Sequence, residues 1–142
     1  KANSISNQFK QRYSDIRNKY SRRSRVKTFY QLWHDPLQSI GRGSWMGSLI
    51  KDCRGKNVFD QADVPYPVIS IESVLVKNPK VIIIPHHSAS QLVEKKIWTN
   101  WPEISAVKNN HIFTLDGDLL HRFTPRALDG LEMLCEAIDK GR

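Results

Sequence analysis

The sequence predicts an α/β layered domain with a mostly parallel sheet, preceded by one long helix. Three observations carry this reading. Apolar, strand-like runs alternate with helical stretches across the chain, the pattern of helices packed on a sheet. Val81 to Ile84 is apolar throughout, as a strand covered on both faces must be. The 142 residues, 39% hydrophobic and 25% charged, suffice for a globular domain with a real core.

The elements follow in order. Residues 3 to 21 read as an amphipathic helix, because Ile5, Phe9, Tyr13, Ile16 and Tyr20 recur at spacings of three and four. Arg22-Arg23-Ser24-Arg25 breaks that pattern, and Val26 to Trp33 reads as a buried strand ended by His34-Asp35-Pro36. Ser44 is placed to cap a helix from Trp45 to Cys53, with Gly55 as its stop. Val64-Pro65-Tyr66-Pro67 must be extended, since each proline turns its predecessor away from helical geometry. Ser70 opens a short helix from Ile71 to Lys77, which Asn78-Pro79 closes before the strand from Val81 to Ile84. Ser88 to Trp98 reads as a helix, Trp101-Pro102 as a turn and His111 to Leu115 as a third strand. Pro125 to Lys140 reads as the last helix, with proline at its first turn and Gly141 at its end.

The longest apolar run, Val81 to Pro85, falls far short of the roughly 20 residues that cross a bilayer, so membrane insertion is not expected. The polar, basic N-terminus does not read as a secretory signal. The chain opens within a helical pattern, and the expectation is a mature or trimmed piece of a longer protein. The net charge of +8 is unevenly spread. Residues 1 to 28 hold nine basic groups and one acid, which already makes +8; the remainder balances thirteen against thirteen. The basicity thus belongs to one element, where a solvated helix face explains it. A basic module for nucleic acid is the reading from another class, and no recognised nucleic-acid motif accompanies the helix.

Gly41-Arg42-Gly43-Ser44 is the one glycine-rich turn. Met46 stands where a dinucleotide fingerprint needs its third glycine, and the Walker lysine–serine pair is absent, so no nucleotide site is expected. His86-His87 follows the apolar strand but lacks a third ligand at convincing spacing, so no metal site is expected either. No G-x-S-x-G elbow or local carboxylate pair argues for catalysis. Cys53 and Cys135 form no C-x-x-C; two buried thiols or one disulfide fit them equally. Two features read as binding surfaces. Tyr66 between prolines presents an aromatic ring on a stiff loop. Asp118 and Arg122, just after the third strand, offer an acceptor and donors where parallel sheets hold ligands.

Several segments, in order, carry a resemblance. Phe29-Tyr30-Gln31-Leu32-Trp33, Cys53-Arg54-Gly55-Lys56-Asn57-Val58-Phe59, Val64-Pro65-Tyr66-Pro67-Val68-Ile69-Ser70-Ile71-Glu72, and Arg122 through Pro125-Arg126 to Leu134-Cys135 resemble the C-terminal lobe of BtuF-type periplasmic cobalamin-binding proteins. The resemblance implies a three-layer Rossmann-like lobe of a class III periplasmic binding protein, with residues 1–25 as the end of an interlobe spine helix and linker, and 26–142 as the ligand-binding lobe. It implies a non-catalytic protein of the periplasm that takes cobalamin between this lobe and an N-terminal lobe of its own, then docks on an ABC permease served by ATPase subunits. No protein cofactor or metal is implied, because cobalt arrives inside the corrin. Tyr66 falls where the family sets an aromatic on the corrin, Asp118 and Arg122 where it contacts the corrin amides, and Glu72 on its docking glutamate. Cys53 and Cys135 fall on its disulfide. The chain departs from the family at Arg54, which replaces a glycine, and at Leu37-Gln38 and Leu119, lining positions where some relatives carry aromatics. A ferric siderophore or haem is the alternative ligand for the same fold.

Overall fold

The computed structural model describes residues 2–86, 96–116 and 126–142. In chain order the elements are α1 (Ala2–Tyr20), β1 (Val26–Tyr30), β2 (Trp33–His34), β3 (Leu37–Gln38), α2 (Trp45–Asp52), β4 (Gly55–Asn57), α3 (Ile71–Lys77), β5 (Val81–His86), α4 (Ser105–Lys108), β6 (Ile112–Asp116) and α5 (Ala127–Asp139). The main sheet runs β4-β1-β5-β6 and every pairing is parallel. Register is set by Thr28 opposite Asn57 on one side and Val81 on the other, and by Ile83 opposite both Tyr30 and Phe113.

Strand alternation sorts the core into layers. Val26, Tyr30, Val81, Ile83 and Leu115 face α1, α2 and α5; Phe29, Ile82 and Ile84 face the other way, onto Val58, Phe59, Val74, Trp98 and Ile104. Helices on both faces make the expected three-layer α/β lobe. In the second layer Phe29 meets Phe59 and Trp98 edge-to-face, with ring centres 5.8 and 5.5 Å apart. Trp98 is fully buried, and its Nε1 donates to Gln31 Oε1 at 2.6 Å, which satisfies both buried polar groups.

Helix ends follow the sequence signals. Ser44 Oγ accepts from Gly47 N at 3.0 Å and Ser70 Oγ from Ser73 N at 3.1 Å. Asn78 takes a left-handed φ of 49° to end α3, and its Oδ1 accepts from Ser105 N at 2.8 Å, the first residue of α4. That distant cap is why the short α4, with Ile104 before it, has no local start signal.

The structure differs from expectation at three places. The first strand leaves the sheet after Tyr30, so Trp33 belongs to a separate hairpin. Gly55 begins β4 and does not merely stop a helix; a Cβ there would lie 2.7 Å from Ile50 Cγ2 and 3.0 Å from Ile138 Cδ1, so glycine lets the edge strand slide beneath α2 and α5. Trp98 stands in a turn, and most of the helix expected over 88–98 lies outside the described residues.

α1 packs through Phe9, Tyr13, Ile16 and Tyr20, as its spacing predicted. Its basic residues meet acids of the same lobe: Arg12 with Asp129 (2.6 Å) and Glu132 (3.2 Å), Arg17 with Asp52 (3.4 Å), and Arg23, beyond the helix, with Asp139 (2.6 Å). The hydrogen bonds that Arg12 donates to Asp129 and Glu132 raise its pKa against the opposing effect of burial. Burial works against ionised Asp139, yet Arg23 and Arg142 hold its carboxyl below the usual range. The Arg12 pairs are solvent-exposed, each worth at most about 1 kcal/mol, while Arg17–Asp52 and Arg23–Asp139 are partly sheltered, so the Arg12 pairs orient α1 more than they anchor it.

Tyr13 OH donates to the Asp52 carboxylate. Burial first, then that bond, pushes the Tyr13 phenol up to about 12. Its proton is held more tightly folded than unfolded. The stabilisation is therefore complete below an unfolded pKa of about 10 and is lost as pH rises toward the folded value. Tyr13→Phe should cost about 1 kcal/mol at neutral pH and flatten the fall in stability above pH about 10. Denaturant titrations across that range measure both effects.

Cys53, which caps α2, is disulfide-bonded to Cys135 of α5, 82 residues on. Closing so long a loop stabilises the fold by about 4–5 kcal/mol in the chain-entropy model. Reduction, or replacement of both cysteines by serine, should lower the unfolding free energy by that order. Melting curves with and without reductant test this, and coincident curves would contradict it.

Candidate functional site

Parallel sheets bind ligands beyond the carboxyl ends of their strands, where the strand order reverses. Here the reversal falls between β1 and β5, since the chain goes outward to β4 and then returns to the far side of β1. Two described segments lie at that end, 31–44 after β1 and 58–70 after β4. Residues 87–95 after β5 and 117–125 after β6, which contain His87, Asp118, Leu119 and Arg122, lie outside the described residues.

The two described segments are tied together by backbone. β2 and β3 form a hairpin with Trp33 opposite Gln38, and Gln38 bridges Val68 antiparallel on its other side. Ile69 N donates to Leu37 O (2.9 Å), Ser39 N to Pro67 O (3.1 Å) and Gly41 N to Pro65 O (2.8 Å). The prolines contribute carbonyls only, so their missing N–H groups cost this ladder nothing. A Cβ on Gly41 would sit 2.3 Å from Val64 O, so only glycine lets the strands approach. The result is a shelf of three short antiparallel segments beyond the main sheet.

Directly paired residues share a face. Leu37 is buried, and with Ile69 it packs into the second core layer beside Phe29 and Ile82. Trp33, Gln38, Tyr66 and Val68 share the opposite face by register. Trp33 is 46%, Tyr66 54% and Val68 64% exposed, and Val64, two residues before Tyr66, is 52% exposed. Gln38 is half-exposed, and its Nε2 donates to Tyr66 O at 3.4 Å. Of the two sequence-predicted residues at 37–38, Gln38 faces outward and Leu37 supports the shelf from beneath. The shelf is an apolar surface with one amide at its centre. Trp33 was hidden from sequence reasoning, because it ends a stretch rich in β-branched and aromatic residues that reads as buried strand. The short interval to Asp35-Pro36 was the only hint of a hairpin.

Glu72 is exposed in the first turn of α3, two residues beyond its Ser70 cap. A carboxylate is favoured at a helix N-terminus, and its exposure leaves it open to a cationic partner as well. The Gly41–Ser44 turn leads into α2, and Ser44 Oγ is already engaged with Gly47 N. Beside it a groove of about 770 Å³ runs along β4, lined by Arg25, Arg42, Lys51, Lys56 and Asp60. Arg54, at the glycine position of the resemblance, adopts a left-handed φ of 63°, and its Nε donates to Arg23 O at 3.0 Å. Among the described residues, no group of three or more His, Cys, Asp or Glu could hold a metal ion, and no helix is long and apolar enough to cross a membrane.

Comparisons with known proteins agree with this architecture. The family model described as periplasmic binding protein matches residues 1–119. The vitamin B12-binding protein of Vibrio cholerae is 39% identical over 128 residues, covering 89% of this chain and 45% of the relative. The counterpart from Vibrio vulnificus is 38% identical, over 85% of this chain and 44% of its own length. The chain thus spans about half the length of the curated relatives it matches. The crystal structure of the periplasmic vitamin B12-binding protein BtuF of Vibrio cholerae superposes with a TM-score of 0.88 at 35% identity, over 98% of this chain and 54% of that one. The haem-binding protein RhuT of Roseiflexus, at 18% identity and a TM-score of 0.84, shares the fold alone. Sequence match and superposition cover the same long helix and parallel lobe, and by them the chain belongs to the periplasmic binding protein family.

Proposed function

We propose that this chain is the C-terminal lobe of a periplasmic capture protein for cobalamin or a close corrinoid. It binds the ligand against a second lobe and delivers it to an ABC permease whose ATPase subunits supply the energy. The observation that carries the proposal is Tyr66, exposed between two prolines on an apolar shelf at the sheet's carboxyl edge, in a chain whose Vibrio relatives are named vitamin B12-binding proteins. A corrin has a flat apolar face fringed by amides. An aromatic shelf with the Gln38 amide at its centre suits the face, and Asp118 and Arg122 suit the fringe. Leu37 holds the shelf from below, and Leu119 is proposed as a further apolar lining residue. No residue is assigned to catalysis.

In titration calorimetry of the two-lobe protein, cyanocobalamin should bind, and Tyr66→Ala should weaken it about tenfold or more, the loss of one stacked ring. Equal affinity in wild type and variant would remove Tyr66 from the site.

Docking is assigned to Glu72, whose exposed carboxylate on α3 suits an arginine of the permease. Glu72→Arg should leave cyanocobalamin affinity unchanged and abolish most uptake in cells that depend on this importer. Uptake at the wild-type rate would refute the role.

A further inference from the structure

We infer that Trp33 is a second ligand-contacting aromatic, standing across the shelf from Tyr66 and supplying the wall that Leu37-Gln38 does not. The inference rests on the reading of the shelf as a ligand face.

Register comes first. Trp33 is directly opposite Gln38, and Gln38 is directly opposite Val68. These three side chains form one row across the hairpin and the proline segment, on the face turned away from Leu37 and the core. Tyr66, two residues from Val68 on the same segment, shares that face. The row therefore reads indole, amide, valine, with the phenol ring one step along.

Exposure comes second. A tryptophan at 46% exposure leaves much apolar surface in water, and Val68 of the same row and Tyr66 on the same segment are each more than half exposed. Isolated exposed apolar residues are ordinary; a contiguous group is the mark of an interaction surface. The lower side of the same shelf is packed into the core through Leu37 and Ile69, so this exposure does not reflect a loop without a core.

Fixation comes third. Trp33 Nε1 donates to Asp35 O at 2.9 Å, and the indole lies 4.8 Å from the His34 ring at a tilt of 43°. The hydrogen bond closes the polar edge of the indole onto its own hairpin, and the apolar part of the ring stays open. An indole held this way suits a flat, apolar macrocycle face better than a hydrated anion, because its one donor is already used. The central Gln38 amide, half-exposed between the two aromatics, adds a polar group for a ligand that carries amides at its rim.

The test uses the two-lobe protein with cyanocobalamin and with hemin as probes. Trp33→Ala should weaken cyanocobalamin binding about tenfold, and Trp33→Phe should stay within about threefold of wild type. Hydroxyl-radical footprinting of wild type, read by mass spectrometry, needs no variant to fold. Bound cyanocobalamin should protect Trp33 several-fold and leave Trp45, exposed on α2 beside the basic groove, unprotected. Trp33 labelled equally with and without bound ligand would overturn the inference, as would wild-type affinity in Trp33→Ala. If wild type binds no cyanocobalamin, the corrinoid reading fails by itself, and the same footprint with hemin decides Trp33: protection sustains it and unchanged labelling ends it.

Discussion

The exposed shelf beyond the main sheet depends on one ladder, the backbone pairing of residues 37–41 with 65–69. It joins the loop after β1 to the loop after β4, which leave neighbouring strands of the sheet. It decides which side chains face inward, because pairing with period two leaves no choice once Gln38 is set opposite Val68. A slip of one residue would turn Leu37 to solvent and bury Gln38, exchanging a satisfied core for a stranded amide. Gly41 guards that register, since its close approach to Val64 O admits no side chain.

Much of the framework was legible in the sequence for plain physical reasons. The α1 spacing names the residues that pack on the lobe, and the unbroken apolar Val81 to Ile84 could only be a strand covered twice. Tyr66 was legible because prolines on both sides hold the backbone around it extended and present an aromatic residue on a stiff segment. Trp33 was not, because β-branched and aromatic residues recur from Val26 through Trp33 and conceal the point where the chain quits the sheet. Gly55 was misread because glycine both ends helices and allows close packing, and only the presence of Ile50 and Ile138 above it tells which. α4 is held by Asn78, a cap 27 residues upstream of Ser105, beyond the reach of any local pattern.

The charge distribution shows how far a composition argument reaches. Counting placed the whole +8 in the first 28 residues and so separated it from the fold. The structure then sets Arg12, Arg17 and Arg23 against acids on α2 and α5, so part of that charge serves to seat α1 on its own lobe. The disulfide joins α2 to α5, the same two helices that carry those acids, so the covalent link and the ion pairs reinforce one packing arrangement.

The shelf has a consequence for the entropy of capture. A flexible aromatic loop must surrender its freedom when it closes on a ligand, at roughly 1–2 kcal/mol per residue ordered. Here the prolines, the ladder and the buried Leu37 and Ile69 have already fixed the backbone beneath Tyr66 and Trp33. That freedom is lost once, during folding, and is offset by the core. In the proposed binding role both rings would stand on a backbone that folding has already ordered, and little of the binding energy would go into ordering it.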